Sequence, residues 1–535
     1  MLEAERGLLY VAAVAAVLLL PEIRDQATAL LAGVLAGIVT LSLYALGTRL
    51  FPGHVGGSYD PSSGYQLAEP VGYWNALGLL AAIGIALALG FAAHGAALAA
   101  RAGGAVALVV CLPTLYFTFS RGALAALAAG LVLQLALDSH RWRLVVSSVV
   151  LAAPAALGVL YASRSGALTA AGATLQTAQA EGAHLARRLI VLALLSVALV
   201  PLLSFAERHV RPRPALTRRI SVATVAAAIV VAAGAAVAAG GPVTIVQRAV
   251  DSFSQPLPAG AGDLEGRLLS VSSNGRSDYW RVAGGMVRDD PLLGAGAGAF
   301  ERHWLEERPT SFYARDAHNL YLEKLAELGP IGLLLLVATL ALPFVALRRA
   351  RRIPFAAAAA GAYGAFLVHS VVDWHWEVPA VAIAALLCAC ALLAWGREPD
   401  APLSSRARLI ALALAVPLTA VALVAHVGNR AIAASGDAIA NGEPARGASE
   451  AQRARRWAPW SAVPWQLLGE AKLARRHDEE ARRHLLRALA RDRESWNIWY
   501  DLASVSRGAE RARALVEANE LNPLGPEVDE LLTER

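Results

Sequence analysis

The sequence predicts an all-α polytopic transmembrane bundle of about twelve spans, carrying one extracytoplasmic loop subdomain and ending in a helical-repeat tail. Three observations carry that reading. Apolar residues make up 56% of the 535 residues and the mean hydropathy is +0.47, as expected of a chain whose solvent is mostly lipid. Runs of Ala, Leu and Val recur at lengths that cross roughly 30 Å of hydrocarbon. Two stretches break the pattern: a polar block from Asn274 to Gly332, and everything after about residue 427, where charges and tryptophans replace the apolar runs.

Hydropathy places the spans, in order, at 7–20, 27–47, 73–93, 103–119, 122–137, 143–161, 188–205, 219–240, 328–347, 354–372, 378–395 and 407–427. The first residues, Met1 to Arg6, mix charges with no apolar core or cleavage site ahead of them, so 7–20 reads as a span and not as a signal peptide. Orientation follows from arginine, because lysine stands only at Lys324 and Lys472. Every second connection is basic: Arg24; Arg101; Arg141 and Arg143; Arg208, Arg211, Arg213, Arg218 and Arg219; Arg348, Arg349, Arg351 and Arg352; Arg397, Arg406 and Arg408. Basic short loops mark the cytoplasmic side. This pattern puts the N-terminus, the loop 242–326 and the C-terminal tail outside a cytoplasmic (inner) membrane. Arginines spent on topology leave nucleic-acid binding a poor explanation of the net charge of +6. Cys111, Cys388 and Cys390 lie inside apolar runs and read as small buried hydrophobes, without metal-ligand spacing.

The division expected is a transmembrane domain over 1–427 and a helical domain over 428–535. In the second, Trp465, Leu468, Gly469, Ala481, Leu485 and Ala488 fall on tetratricopeptide-repeat spacing, and Trp499 and Leu502 recur one period later. Lys472 and Arg493 stand where the repeat has an aromatic residue and a proline. A plain amphipathic helical tail is the alternative. Such a repeat offers a docking surface for a protein partner.

The chemistry is sought at the outer edge of the bundle. Arg276 precedes Tyr279 and Trp280 at the start of an expected interfacial helix, where a guanidinium can fork onto a diphosphate or simply snorkel. Arg121 lies in the tight turn Phe119-Ser120-Arg121-Gly122, at a depth where charge is costly; it either binds an anion or tops a hairpin. His318, followed by Asn319 and a helix from about Leu320, carries the side chain whose ordinary pKa of about 6.5 suits taking a proton from a hydroxyl. It reads equally as a loop histidine or a helix cap. Gly294, Gly296 and Gly298 lack the dinucleotide spacing and form a turn permitting close backbone approach, to phosphate among other groups. His369 and Asp373, in the segment to Glu377, could orient a substrate or pair with Arg121 or Arg276, or form a polar hairpin in a tryptophan belt. Tyr73-Trp74-Asn75 reads the same way. No histidine pair has the spacing of a metal site.

Taken in order, Gly275-Arg276 to Trp280, Asp290-Pro291-Leu292-Leu293-Gly294-Ala295-Gly296, His318-Asn319-Leu320-Tyr321-Leu322 and Glu327-Leu328-Gly329-Pro330-Ile331-Gly332 resemble the signature of the O-antigen ligase and polymerase superfamily. Phe119-Ser120-Arg121-Gly122-Ala123 is similar to that family's SRG turn, and the resemblance covers about residues 40 to 395. It implies a metal-independent glycosyl transfer, with no cofactor, from a polyprenyl-diphosphate-linked glycan to a glycan or lipid acceptor at the outer face of the membrane. His318 would be the base, and Arg276 and Arg121 would neutralise the diphosphate, with Asn319, His369 and Asp373 completing the substrate site. Relatives would be expected to carry further spans before the first one here. A transporter of the same glycan would need broken helices in paired halves and polar groups at the midplane. A non-catalytic assembly protein would not need Arg121, Arg276 and His318 to converge.

Overall fold

The computed structural model describes residues 2–20, 22–56, 66–169, 172–209, 275–398 and 404–533. Within them the chain is helical and contains no strand. Eleven of the expected spans fall on helices: α1 Leu2–Leu18, α2 Ile23–Leu50, α3 Trp74–His94, α4 Leu98–Phe117, α5 Arg121–Leu137, α6 Arg141–Ser163 and α7 Leu175–His209 precede the polar block. After two short helices, α8 Arg276–Asp289 and α9 Phe300–Glu307, come α10 Leu320–Ala350, α11 Pro354–His369, α12 Pro379–Gly396 and α13 Ser405–Ala440. The expected span 219–240 and the first part of the loop 242–326 lie outside the described residues. Eight of the described helices are long and apolar enough to cross a membrane; α5 and α11 are apolar but shorter. The chain is an all-α, multi-pass membrane protein.

Helix α3 is the axis of the bundle. Its apolar window is wholly buried, and α2, α4, α5, α6, α11 and α12 all pack on it. By contrast α10 and α13 expose Leu334, Leu335, Leu342, Leu409, Ile410 and Leu414. In water such faces would be unfavourable; against acyl chains they are matched to their solvent. Between α5 and α11 the backbones nearly touch: a Cβ on Gly130 would lie 2.6 Å from the Gly361 carbonyl oxygen, and one on Gly361 2.7 Å from that of Gly130. Only paired glycines allow that approach, which brings the start of α5 beside the end of α11.

The two ends of the bundle differ. Away from the polar block, His94 contacts Asp138 at 2.7 Å, and Arg101 pairs with Glu207 at 2.8 Å and donates to the Ala92 carbonyl and Ser204. Arg101 therefore sits buried and neutralised, a weaker orientation marker than its sequence position implies. The opposite end gathers Tyr73, the turn before α5, the start of α10 and the end of α11. Asn319 and the basic run from Arg348 lie at opposite ends of α10, on either side of a break in this helix at Gly329.

Helix α13 carries the chain past residue 427 without interruption, so the change in composition there is not a break in the backbone. Six tail helices follow: α14 Pro444–Trp457, α15 Val463–Leu473, α16 Asp478–Leu489, α17 Trp496–Val505, α18 Gly508–Leu521 and α19 Pro526–Thr533. Each packs on its predecessor, α14 and α15 around Ala451, Leu467 and Leu468 and the later helices around Leu485, Leu489, Ile498, Leu502, Ala514 and Val528.

Candidate functional site

Asp373, just beyond α11, is the hub of the polar end. Its carboxylate is only 1% exposed and accepts bonds from Tyr73 Oη at 2.8 and 2.9 Å, Asn75 Nδ2 at 2.6 Å and the Arg276 guanidinium at 3.0 Å. Asn75 Oδ1 in turn accepts from Ser120 Oγ at 2.7 Å, and Ser120 caps α5 by accepting from the Ala123 amide. One network thus links the starts of α3, α5 and α8 to the end of α11. It draws the Ser120-Arg121-Gly122 turn and Arg276 into one cluster although they are distant in sequence. Arg276 is the first residue of α8, and Gly275 before it holds φ at 83°, which a glycine adopts without strain.

His318 lies on the same side, in a loop held at Ala317 before it and at Leu320 after it. Trp280 Nε1 donates to the Ala317 carbonyl at 3.1 Å, the Ala317 amide donates to Glu323 Oε2 at 2.9 Å, and the Leu320 amide donates to the Ser370 carbonyl at 2.9 Å. These bonds hold His318 at φ 54°, a left-handed conformation that a residue with a Cβ adopts at a cost of order 1–3 kcal/mol. The helix cap is Asn319, whose Oδ1 accepts from the amides of Tyr321 and Leu322 at 3.1 Å each; the cap reading of His318 is thereby corrected. His318 Nδ1 is 3.0 Å from the Asp316 carbonyl oxygen, which can only accept. Nδ1 therefore carries the proton in the neutral ring and Nε2 presents a lone pair. The ring stacks on Tyr279 at 4.9 Å and meets Trp374 edge-on at 6.5 Å. Burial lowers its pKa below the usual 6.5, Asp373 raises it and Arg276 lowers it, for a net depression. Behind the loop, burial and the Glu377 and Glu323 carboxylates push the Asp316 carboxyl well above the usual carboxylate range.

The glycine series and the Glu327-Leu328-Gly329-Pro330 segment are explained together. Gly329 breaks α10 with φ 65° and ψ −175°, and Pro330 has no amide to give back to the helix. The carbonyls of Ala326 and Glu327 are satisfied from outside, by the amides of Ala295 at 3.0 Å and Gly296 at 2.9 Å. A Cβ on Gly294 would lie 2.4 Å from the Glu327 backbone, and one on Gly329 2.3 Å from the Leu292 carbonyl oxygen. The close approach expected of these glycines is thus to backbone. Glu327 Oε1 also accepts from the Gly298 amide at 3.0 Å, and Lys324 bridges Glu323 and Glu327 at 3.0 and 2.8 Å. Two carboxylates one helical turn apart, each 2% exposed, therefore hold the two loops of the site.

His369 is 1% exposed and contacts His375 ring nitrogen to ring nitrogen at 2.8 Å; His375 in turn lies 3.3 Å from Ser370 Oγ. A Cβ on Gly122 would sit 2.9 Å from His369 Nε2, so the imidazole fills the space that the glycine of the turn leaves open. Sequence reasoning ranked Tyr73 and Asn75 low and missed Glu323 and Glu327. The available signal was the helical spacing of two acids ahead of a glycine-proline break.

Residues 185–337 match the family model described as O-antigen ligase. The matched stretch includes Arg276, His318, the glycine turn and the break in α10; Arg121, His369 and Asp373 lie outside it. The match supports the resemblance to the O-antigen ligase and polymerase superfamily and an O-antigen ligase type of function in general. No curated protein matches the chain.

Proposed function

We propose that this protein transfers a glycan from a polyprenyl diphosphate to an acceptor hydroxyl, on a glycan or a lipid, at the outer face of the cytoplasmic membrane, without a metal ion. The observation that carries the reading is the neutral His318 ring, its Nε2 lone pair available, within the field of the Arg276–Asp373 pair. Nε2 takes the acceptor proton as its oxygen bonds to the sugar C1. The C1–O bond to the diphosphate breaks, and the electron pair leaves on a phosphate oxygen. Arg276 and Arg121 neutralise the charge growing there, which is where preorganised cations contribute most. Asp373 and His369 are too buried to be primary contacts; Asp373 orients Arg276, and His369 shapes the turn of Arg121. Asn319 sets the start of α10 next to the base. The tail, read as tetratricopeptide-like, offers a surface to a protein partner.

The deciding experiment is transfer from a polyprenyl-diphosphate-linked glycan by purified protein in lipid nanodiscs, with EDTA present. Absence of product, with the protein folded, would refute the reading. The pH profile provides a second check. Because the His318 pKa is depressed, the base form survives acidification, and the acid limb of kcat/KM is expected below pH 6.5. Asp373→Asn removes the charge that raises this pKa, so the limb should move further down; a shift upward contradicts the assignment. For topology, reporters fused after Ala261 and after Arg535 are expected to read extracytoplasmic and one near Arg213 cytoplasmic. A cytoplasmic signal after Ala261 would put the site on the wrong face for the donor.

A further inference from the structure

The loop between α9 and α10 is fixed near His318 by Trp280 and Glu323, as described. Its far end is held by something else. Arg308, at the end of α9 and 8% exposed, donates to the carbonyl oxygens of Ser311 at 3.0 Å and Phe312 at 3.4 Å. Its other terminal nitrogen donates to Asn522 Oδ1 at 2.7 Å, across 214 residues of sequence. Asn522 follows α18 in the tail and is 2% exposed. The Phe312 carbonyl also accepts from Trp304 Nε1 at 3.0 Å, and Ala314 and Ala317 bury themselves with Trp304 and Phe300. Alongside, α9 packs on α18, and Arg302 pairs with Glu494 of the tail.

A guanidinium buried between two parts of a chain must keep its acceptors, because a buried charge left short of partners is strongly unfavourable. Arg308 meets that requirement at its two terminal nitrogens, with two carbonyls of the loop and one of the tail, while its Nε is buried without a hydrogen-bond partner. Closing both ends of a short loop also removes most of its freedom. We propose that the C-terminal tail positions the loop carrying His318, with Arg308 as the positioning residue and Asn522 as its anchor. The consequence for turnover rests on the function proposed above; the hold on the loop does not. Arg276 shares α8 with Trp280, which bonds the loop at Ala317, but its guanidinium is anchored on the bundle side by Asp373. Loosening the tail contact therefore moves the base and leaves the donor site in place.

The test uses the full chain in nanodiscs, comparing Asn522→Ala with Asn522→Asp, which keeps an acceptor oxygen. Amides of residues 310–318 are expected to exchange about 10-fold faster in Asn522→Ala, with those of α3 and α11 unchanged, and to return within about two-fold in Asn522→Asp. In transfer assays kcat should fall about 5- to 10-fold in Asn522→Ala while the donor KM stays within about two-fold, and Asn522→Asp should restore it. Arg308→Lys, which keeps charge and stem but loses the fork, is the second variant, with the same expected direction. Unchanged exchange over 310–318 in both Asn522→Ala and Arg308→Lys, or a rise shared equally by α3 and α11, would overturn the proposal. If no form of the protein transfers glycan, the functional reading fails and the exchange data still decide the latch.

Discussion

Replacing His318 by alanine is expected to reduce turnover roughly 100- to 10,000-fold while donor affinity stays within a few-fold, the usual contribution of a positioned general base. The size of the effect follows from the geometry. Nδ1–H is committed to the Asp316 carbonyl, so Nε2 is the only ring atom able to take a proton, and alanine leaves nothing in its place. Stability should not fall through loss of a cap. His318 holds a left-handed φ of 54°, and since Asn319 does the capping, its loss removes no helix cap. Glycine at 318 relieves that strain, so His318→Gly should be at least as stable as the alanine variant and equally slow. Turnover per folded molecule within a few-fold of the unaltered protein would remove His318 from the mechanism.

Arg276→Ala is expected to weaken donor binding and turnover together, with kcat/KM falling roughly 100- to 1000-fold, as for other preorganised groups facing a developing anion. The diphosphate is charged in ground and transition states alike, so the loss cannot be confined to kcat. Part of any defect could instead arise from Asp373, left buried without its cation, a situation that costs about 3–5 kcal/mol of stability. The double variant Arg276→Ala with Asp373→Asn separates the two. Thermal stability should recover, because the unpaired charge is gone, and transfer should not. Recovery of transfer in the double variant would mean that Arg276 serves only to balance Asp373. Arg276→Lys should be intermediate, since an ammonium keeps the charge and loses the bidentate fork.

Much of this site was legible because its chemistry requires rare residues at a conspicuous depth. Arginine, histidine and aspartate at the edge of apolar helices stand out against Ala and Leu, and Arg121, Arg276, His318 and Asp373 are candidates on that ground. Roles were harder to read. Asp373 looked equally like part of a polar hairpin, and only its bonds to Tyr73, Asn75 and Arg276 make it the hub. The glycine spacing shows a turn built for close approach but not to what; its amides serve the carbonyls freed at Gly329 and Pro330. Glu323 and Glu327 passed unnoticed, because two acids on a helix are ordinary until the loops they hold are seen.

By itself the sequence determined the all-α class, the order of the apolar helices among the described residues and the identity of the chemical groups, because a backbone in lipid must satisfy its own hydrogen bonds and leaves helices as the available element. Tertiary structure decided which groups meet. Hydropathy is a local property, blind to the glycine contact of α5 with α11 that sets the Ser120 turn beside Asp373, and to the reach of Arg308 across to Asn522. Pairings of that kind depend on how side chains interlock across helices far apart in the chain, and no local period records them.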